Sequence, residues 1–175
     1  PEAQEDLRIP EFLPRILESI NASEYFKRLI GPFQPPTEAN LLDIANAISS
    51  GTLLLCSDGS FCAHSGTGSH AWLFSTSIGV VLFQGAGPID CFPDLLSSYR
   101  PELGGITALL FLLSVIVEVY DVVEGSVTLF CDNQSALDNV FDLVQKRGIY
   151  PLLAVDYDLL VLARELLQRL PIKVH

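Results

Sequence analysis

The sequence predicts an α/β domain, a mixed sheet with helices on its faces, joined to an N-terminal helical extension. Three observations point there. Three apolar runs of strand character follow one another through short turns between residues 52 and 87. Beyond them, helical patterns alternate with strand-like runs, as they do when parallel strands are added to a sheet. Residues 1–51 have another texture, helical periodicity broken by proline.

In the extension, "PTEANLLDIANAISSG" reads as a capped helix, with Thr37 as its N-cap and Gly51 as its stop, and a joint is expected around residues 31–36. The domain proper is expected to span residues 52–175. "TLLLCSDGS" opens it as a continuous apolar run ending in turn residues, which predicts a central strand buried on both faces. "SHAWLFST" and "IGVVLFQGAG" are the next strands, and the short connection at residues 76–77 predicts a hairpin. "PDLLSSYRPELGGITALLFLLSVIVEVYD" holds a long apolar helix. "SVTLFCD" is a fourth strand, "NQSALDNVFDLV" a short helix and "YPLLAVDYDLLVLARELLQRL" an amphipathic one; "PIKVH" opens a last strand. From residue 52 the predicted order is β-β-β-α-β-α-α-β.

Hydrophobic residues make up 49% of the 175, enough to bury a sizeable core. The apolar stretch 103–117 lies between Glu102 and Glu118, contains Gly-Gly and is short of the roughly 20 residues of a membrane span, so it reads as a core helix. The four cysteines form no C-x-x-C pair, and together with an N-terminus lacking a signal-peptide pattern they predict reduced thiols in an intracellular protein. Pro1 and the absence of methionine suggest a segment of a longer polypeptide. A net charge of −11 argues against gripping nucleic acid through a basic surface. It leaves open binding through a metal held by carboxylates.

Three acids stand out by context: Asp58 in "CSDGS" at the first strand, Glu102 in "SSYRPELGGI" at the start of the long helix, and Asp132 in "FCDNQS" at the end of the fourth strand. Singly, each has an ordinary use, as a turn residue, a helix-dipole partner and an N-cap respectively. Parallel pairing of the first and fourth strands would set Asp58 beside Asp132, and the helix would bring Glu102 over them. Converging carboxylates repel unless a cation joins them, and hard oxygen ligands suit Mg²⁺ or Mn²⁺. Asp156 and Asp158 read as solvent-facing or capping charges of the amphipathic helix. The three histidines show no metal-ligand spacing, and Trp72 reads as core or sheet surface.

These three motifs, in this order on these elements, resemble the ribonuclease H family, most closely the ribonuclease H domains attached to reverse transcriptases of retroelements. The resemblance covers about residues 52–175. It implies a five-stranded sheet with strands one to three antiparallel and four and five parallel to the first. It implies that Asp58 bridges two metal ions and that Glu102 and Asp132 hold one each. Gly59 and Ser60 follow the first acid, and Gly105 allows close packing of the helix on the sheet. Asn133, Gln134 and Ser135 fall where such domains contact the sugar-phosphate backbone or the 2′-hydroxyl. The implied activity is two-metal hydrolysis of the RNA strand of an RNA–DNA hybrid, next to a polymerase part of the same polypeptide and away from any membrane. A fourth carboxylate, beyond a histidine-containing loop, is implied past His175. Rival readings are a scaffold or protein-interaction module and another polynucleotidyl transferase of the same fold.

Overall fold

The computed structural model describes residues 12–89, 97–145 and 156–175. Its elements are α1 (Phe12–Asn21), α2 (Glu24–Ile30), α3 (Glu38–Ser50), β1 (Leu53–Cys62), β2 (Thr67–Thr76), β3 (Val81–Pro88), α4 (Tyr99–Val119), β4 (Ser126–Cys131), α5 (Gln134–Gln145), α6 (Tyr157–Arg169) and β5 (Lys173–Val174). Parts of the expected extension and of the lead-in to the long helix, and residues 150–155 of the expected amphipathic helix, lie outside the described residues, as does Cys91.

One sheet holds all five strands in the order β3-β2-β1-β4-β5. β1 runs antiparallel to β2, and β2 to β3, while β4 lies parallel to β1 and β5 parallel to β4. Strands joined by tight turns can only pair antiparallel, and those reached through a helix return parallel. This is the ribonuclease H-like arrangement that the sequence predicts, with helices ahead of it in the chain. The β2–β3 turn is closed by Thr76 C=O accepting from Gly79 N–H, with Gly79 at a positive φ of 84°. That turn runs longer than expected, so β3 starts at Val81 and leaves Ile78 at 85% exposure.

β1 departs from its expected burial on both faces. Leu53, Leu55 and Ser57 are buried, whereas Leu54 and Cys56 are partly open and Asp58 is exposed. The alternation arises because α4 covers one face: Gly105 packs so closely on it that a Cβ there would lie 2.9 Å from the Ser57 Cβ. A strand covered on a single face keeps period-two burial however apolar its sequence.

α4 is apolar and long enough to cross a membrane by composition alone, but nearly all of it is buried inside the protein. It reads as the core helix that the sequence predicts. α1–α3 join the same core through Ile16, Ile20, Ile30, Leu41, Ile44 and Ile48. Trp72 Nε1–H donates to the Ile30 carbonyl at 3.0 Å, and His70 Nε2 lies 2.7 Å from the Leu29 oxygen. Both side chains are buried, and burial holds the His70 imidazole neutral by lowering its pKa, so Nε2–H is the donor. The cap at Thr37 and the left-handed stop at Gly51 are as read from sequence: the Thr37 hydroxyl accepts from Asn40 N–H, and Gly51 has φ 71°.

Candidate metal centre

Register places the three acids. The β1–β4 ladder ends at Ser57 opposite Cys131, so Asp58 and Asp132 are the next residue on each strand. Asp58 does not end its strand, since β1 continues antiparallel to β2 as far as Cys62. The strand survives there because β2 supplies a partner where β4 stops. Asp132 follows β4 directly and is exposed.

Glu102 comes from above. It lies in the first turn of α4, next to Pro101, which a first turn tolerates because the N–H that proline lacks would have no helical partner there. Gly59 makes the approach possible. A Cβ at position 59 would lie 2.6 Å from the Glu102 nitrogen and 2.7 Å from its carboxyl carbon. The Gly59 backbone beside the carboxylate favours its charged form, in opposition to burial. Its position after Asp58 therefore has a steric reason, the seating of the helix acid on the strand.

Glu102 is only 6% exposed, and no cationic side chain pairs with it among the described residues. Burial raises its pKa, and the charges of Asp132 and Asp58 raise it further. Glu102 thus lies within electrostatic reach of both other acids. Ligand atoms of Glu102, Cys131 and Asp132 lie within 4.8 Å of one another. Asp58 stands outside that tighter group. The cysteine was not singled out from sequence, where it read only as one of four reduced thiols. Its thiol donates to Glu102 Oε2 at 3.4 Å, and burial keeps it protonated by raising its pKa. Strand alternation held the signal: Cys131 shares the α4 face with Val127 and Leu129, and that face leads up to Glu102.

Asp132 does not cap the helix that follows. Asn133 does so, its side-chain oxygen accepting from Ala136 N–H at 3.0 Å and its carbonyl from Leu137 N–H at 3.2 Å. Asp132 is thereby left without that structural duty. Gln134 Nε2–H donates to Asp138 at 2.7 Å, and Ser60, Gln134 and Ser135 are exposed around the acids.

Asp158 is exposed, as read from sequence, and Asp156 precedes α6 as its N-cap residue, but both also serve a buried arginine. Arg100, 8% exposed and two residues before Glu102, donates from both guanidinium nitrogens to Asp158 at 2.8 and 2.7 Å, and reaches Asp156 at 3.4 Å. The bidentate bond lowers the Asp158 pKa; for Asp156 burial outweighs the longer contact and the pKa rises. The pattern was not visible in sequence because 56 and 58 residues separate the partners.

No family model and no curated protein matches the chain. Among solved structures it is similar to RNase H1 from the halophilic archaeon Halobacterium salinarum NRC-1, at 17% identity over 70% of this chain and 81% of that one, with a TM-score of 0.49. It is also similar to the N-terminal RNase H domain of rv2228c from Mycobacterium tuberculosis, solved as a fusion with maltose binding protein, at 15% identity over 72% and 81% of the two chains, with a TM-score of 0.44. The assignment of a ribonuclease H-like fold rests on the strand order and register of the sheet itself.

Proposed function

We propose that this chain is a metal-dependent endonuclease that hydrolyses the RNA strand of RNA–DNA hybrids, within a larger reverse transcriptase polypeptide of a retroelement. The observation that carries the reading is Glu102, a carboxylate buried without a cationic partner and pressed by the charges of Asp132 and Asp58. Such an arrangement is costly unless a cation completes it. The donors fit a divalent ion, with Mg²⁺ or Mn²⁺ favoured by the carboxylate oxygens. Asp58, Glu102 and Asp132 would hold it. When bound, such ions make a nucleophile of water and stabilise the leaving 3′-oxygen.

The chain's own groups do the rest. Asp58 and Asp132 project from adjacent strands just where their pairing stops, so a phosphate can approach between them. Gly59 leaves the room in which the Glu102 carboxylate seats against β1. Ser60, Gln134 and Ser135 line the approach as exposed hydroxyl and amide groups suited to sugar and phosphate oxygens, and Asn133 sets the angle at which α5 presents them. A hybrid is told from DNA by its groove shape and 2′-hydroxyls. With a net charge of −11 the chain needs help in holding a polyanion, which the polymerase part of the same polypeptide would give.

The test is cleavage of an end-labelled RNA–DNA hybrid by the wild type and by Asp132→Asn, in Mg²⁺, in Mn²⁺ and with chelator. Cleavage of the RNA strand that needs both metal and Asp132 is expected. Hybrid left intact by the wild type in both metals would leave a scaffold of this fold as the better reading.

A further inference from the structure

Among the three side chains that converge at the end of β4, one is soft. Cys131 Sγ sits 3.4 Å from Glu102 Oε2, and both share a 4.8 Å cluster with a carboxylate oxygen of Asp132. Mg²⁺ has no use for a sulfur ligand, whereas Zn²⁺ takes thiolate and carboxylate together. A tetrahedral Zn²⁺ with bonds of about 2.3 Å to sulfur and about 2.1 Å to oxygen holds those two atoms about 3.6 Å apart. The Cys131–Glu102 separation is already close to that value, so the pair needs little movement to share an ion.

Two buried groups beside the cluster point the same way. Glu102, 6% exposed, has no cationic partner among the described residues. Ser57, paired in register with Cys131 and 8% exposed, has a hydroxyl that makes no hydrogen bond of ordinary geometry. A water on a three-ligand ion at this place is a group that such a hydroxyl would bond to.

We infer that Glu102, Cys131 and Asp132 form a site for Zn²⁺ or a similarly thiophilic ion, with solvent as the fourth ligand, overlapping the carboxylate site for Mg²⁺. On binding, the Cys131 thiol gives up its proton to solvent and the sulfur lone pair goes to the metal. The inference deepens the nuclease reading, since a soft ion here occupies two of the three acids and excludes Mg²⁺.

Cobalt(II) reports the sulfur ligand directly, through a thiolate-to-metal charge-transfer band in the near ultraviolet. The whole chain is titrated with Co²⁺ under a non-thiol reductant. The wild type and a variant with Cys56, Cys62 and Cys91 all changed to serine should show the band, and Cys131→Ser and Cys131→Ala should lack it while keeping the wild-type circular dichroism spectrum. Zn²⁺ should abolish the band at one equivalent, and Mg²⁺ should leave it in place at large excess. A wild type without the band, or a band that survives Cys131→Ser, overturns the site. Hybrid cleavage in Mg²⁺ is measured alongside: cleavage without a cobalt band defeats this inference and spares the nuclease, whereas a cobalt band without cleavage does the reverse.

Discussion

Two acidic clusters meet the first turn of α4, and they are built in opposite ways. At Arg100 the helix supplies its own cation, and Asp158 and Asp156 close on it. At Glu102, two residues on, that carboxylate gathers with Asp132 and a thiol, feels the charge of Asp58, and has no cationic partner among the described residues. The first cluster is complete as protein and ties α6 to α4. The second is incomplete as protein. A carboxylate balanced by a guanidinium is satisfied within the protein; one left buried and unbalanced is what the proposed function assigns to a bound cation.

The contrast is sharpest in catalysis. Asp58→Asn or Asp132→Asn should reduce hybrid cleavage by on the order of a hundredfold or more, because several kcal/mol of transition-state charge stabilisation goes with the metal. Asp158→Asn should leave the cleavage rate per folded molecule within about twofold of wild type, because its partner is Arg100. A single-turnover assay on both sets separates the clusters, and equal losses would erase the distinction.

Stability should divide the other way. Arg100→Met strands Asp156 and Asp158 and should cost about 1–3 kcal/mol in urea denaturation, discounted for the half-exposed Asp158. Gly59→Ala forces a methyl against the Glu102 backbone and should cost about 1–3 kcal/mol, with cleavage falling as Glu102 is displaced. Gly59→Ala with unchanged stability and cleavage would show that the close seating of Glu102 is dispensable.

The smallest effects lie in pH dependence, and their signs are opposed. Asp158 has a folded pKa below its unfolded value, so its contribution is full above the unfolded pKa and is lost as pH falls through the folded one. Glu102 has a folded pKa above its unfolded value, so the metal-free protein loses stability as pH rises from the unfolded pKa through the folded one. Metal-free Glu102→Gln should therefore melt higher than wild type at neutral pH and no higher at a pH below the unfolded pKa. Thermal melts in chelator at the two pH values check this.

Most of the sheet was legible in the sequence, because strand runs joined by turns and strands following helices leave few topologies open. The three acids drew notice in the sequence by context, and the structure puts Glu102 in the first turn of α4, Asp132 just after β4 and Asp58 inside β1. What escaped was what tertiary contact decides. The burial of β1 depended on how many faces helices cover. The cap of α5 went to Asn133 over the adjacent Asp132 by local geometry that both residue types satisfy. Arg100 found Asp158 across 58 residues, and Cys131 looked apolar until Glu102 was placed above it. The first pair is set by packing α6 on α4 and the second by packing α4 on the sheet, which no local pattern encodes.

The most direct measurement of the central claim is divalent-cation binding, by calorimetry and by thermal shift, in wild type, Glu102→Gln and Asp158→Asn. On the proposed function the acids around Glu102 take a metal cation, whereas those around Arg100 already have a guanidinium. Mg²⁺ or Mn²⁺ should bind and raise the melting temperature of wild type and of Asp158→Asn, while Glu102→Gln should bind weakly and shift little. Equal binding and equal shifts in wild type and Glu102→Gln would contradict the account.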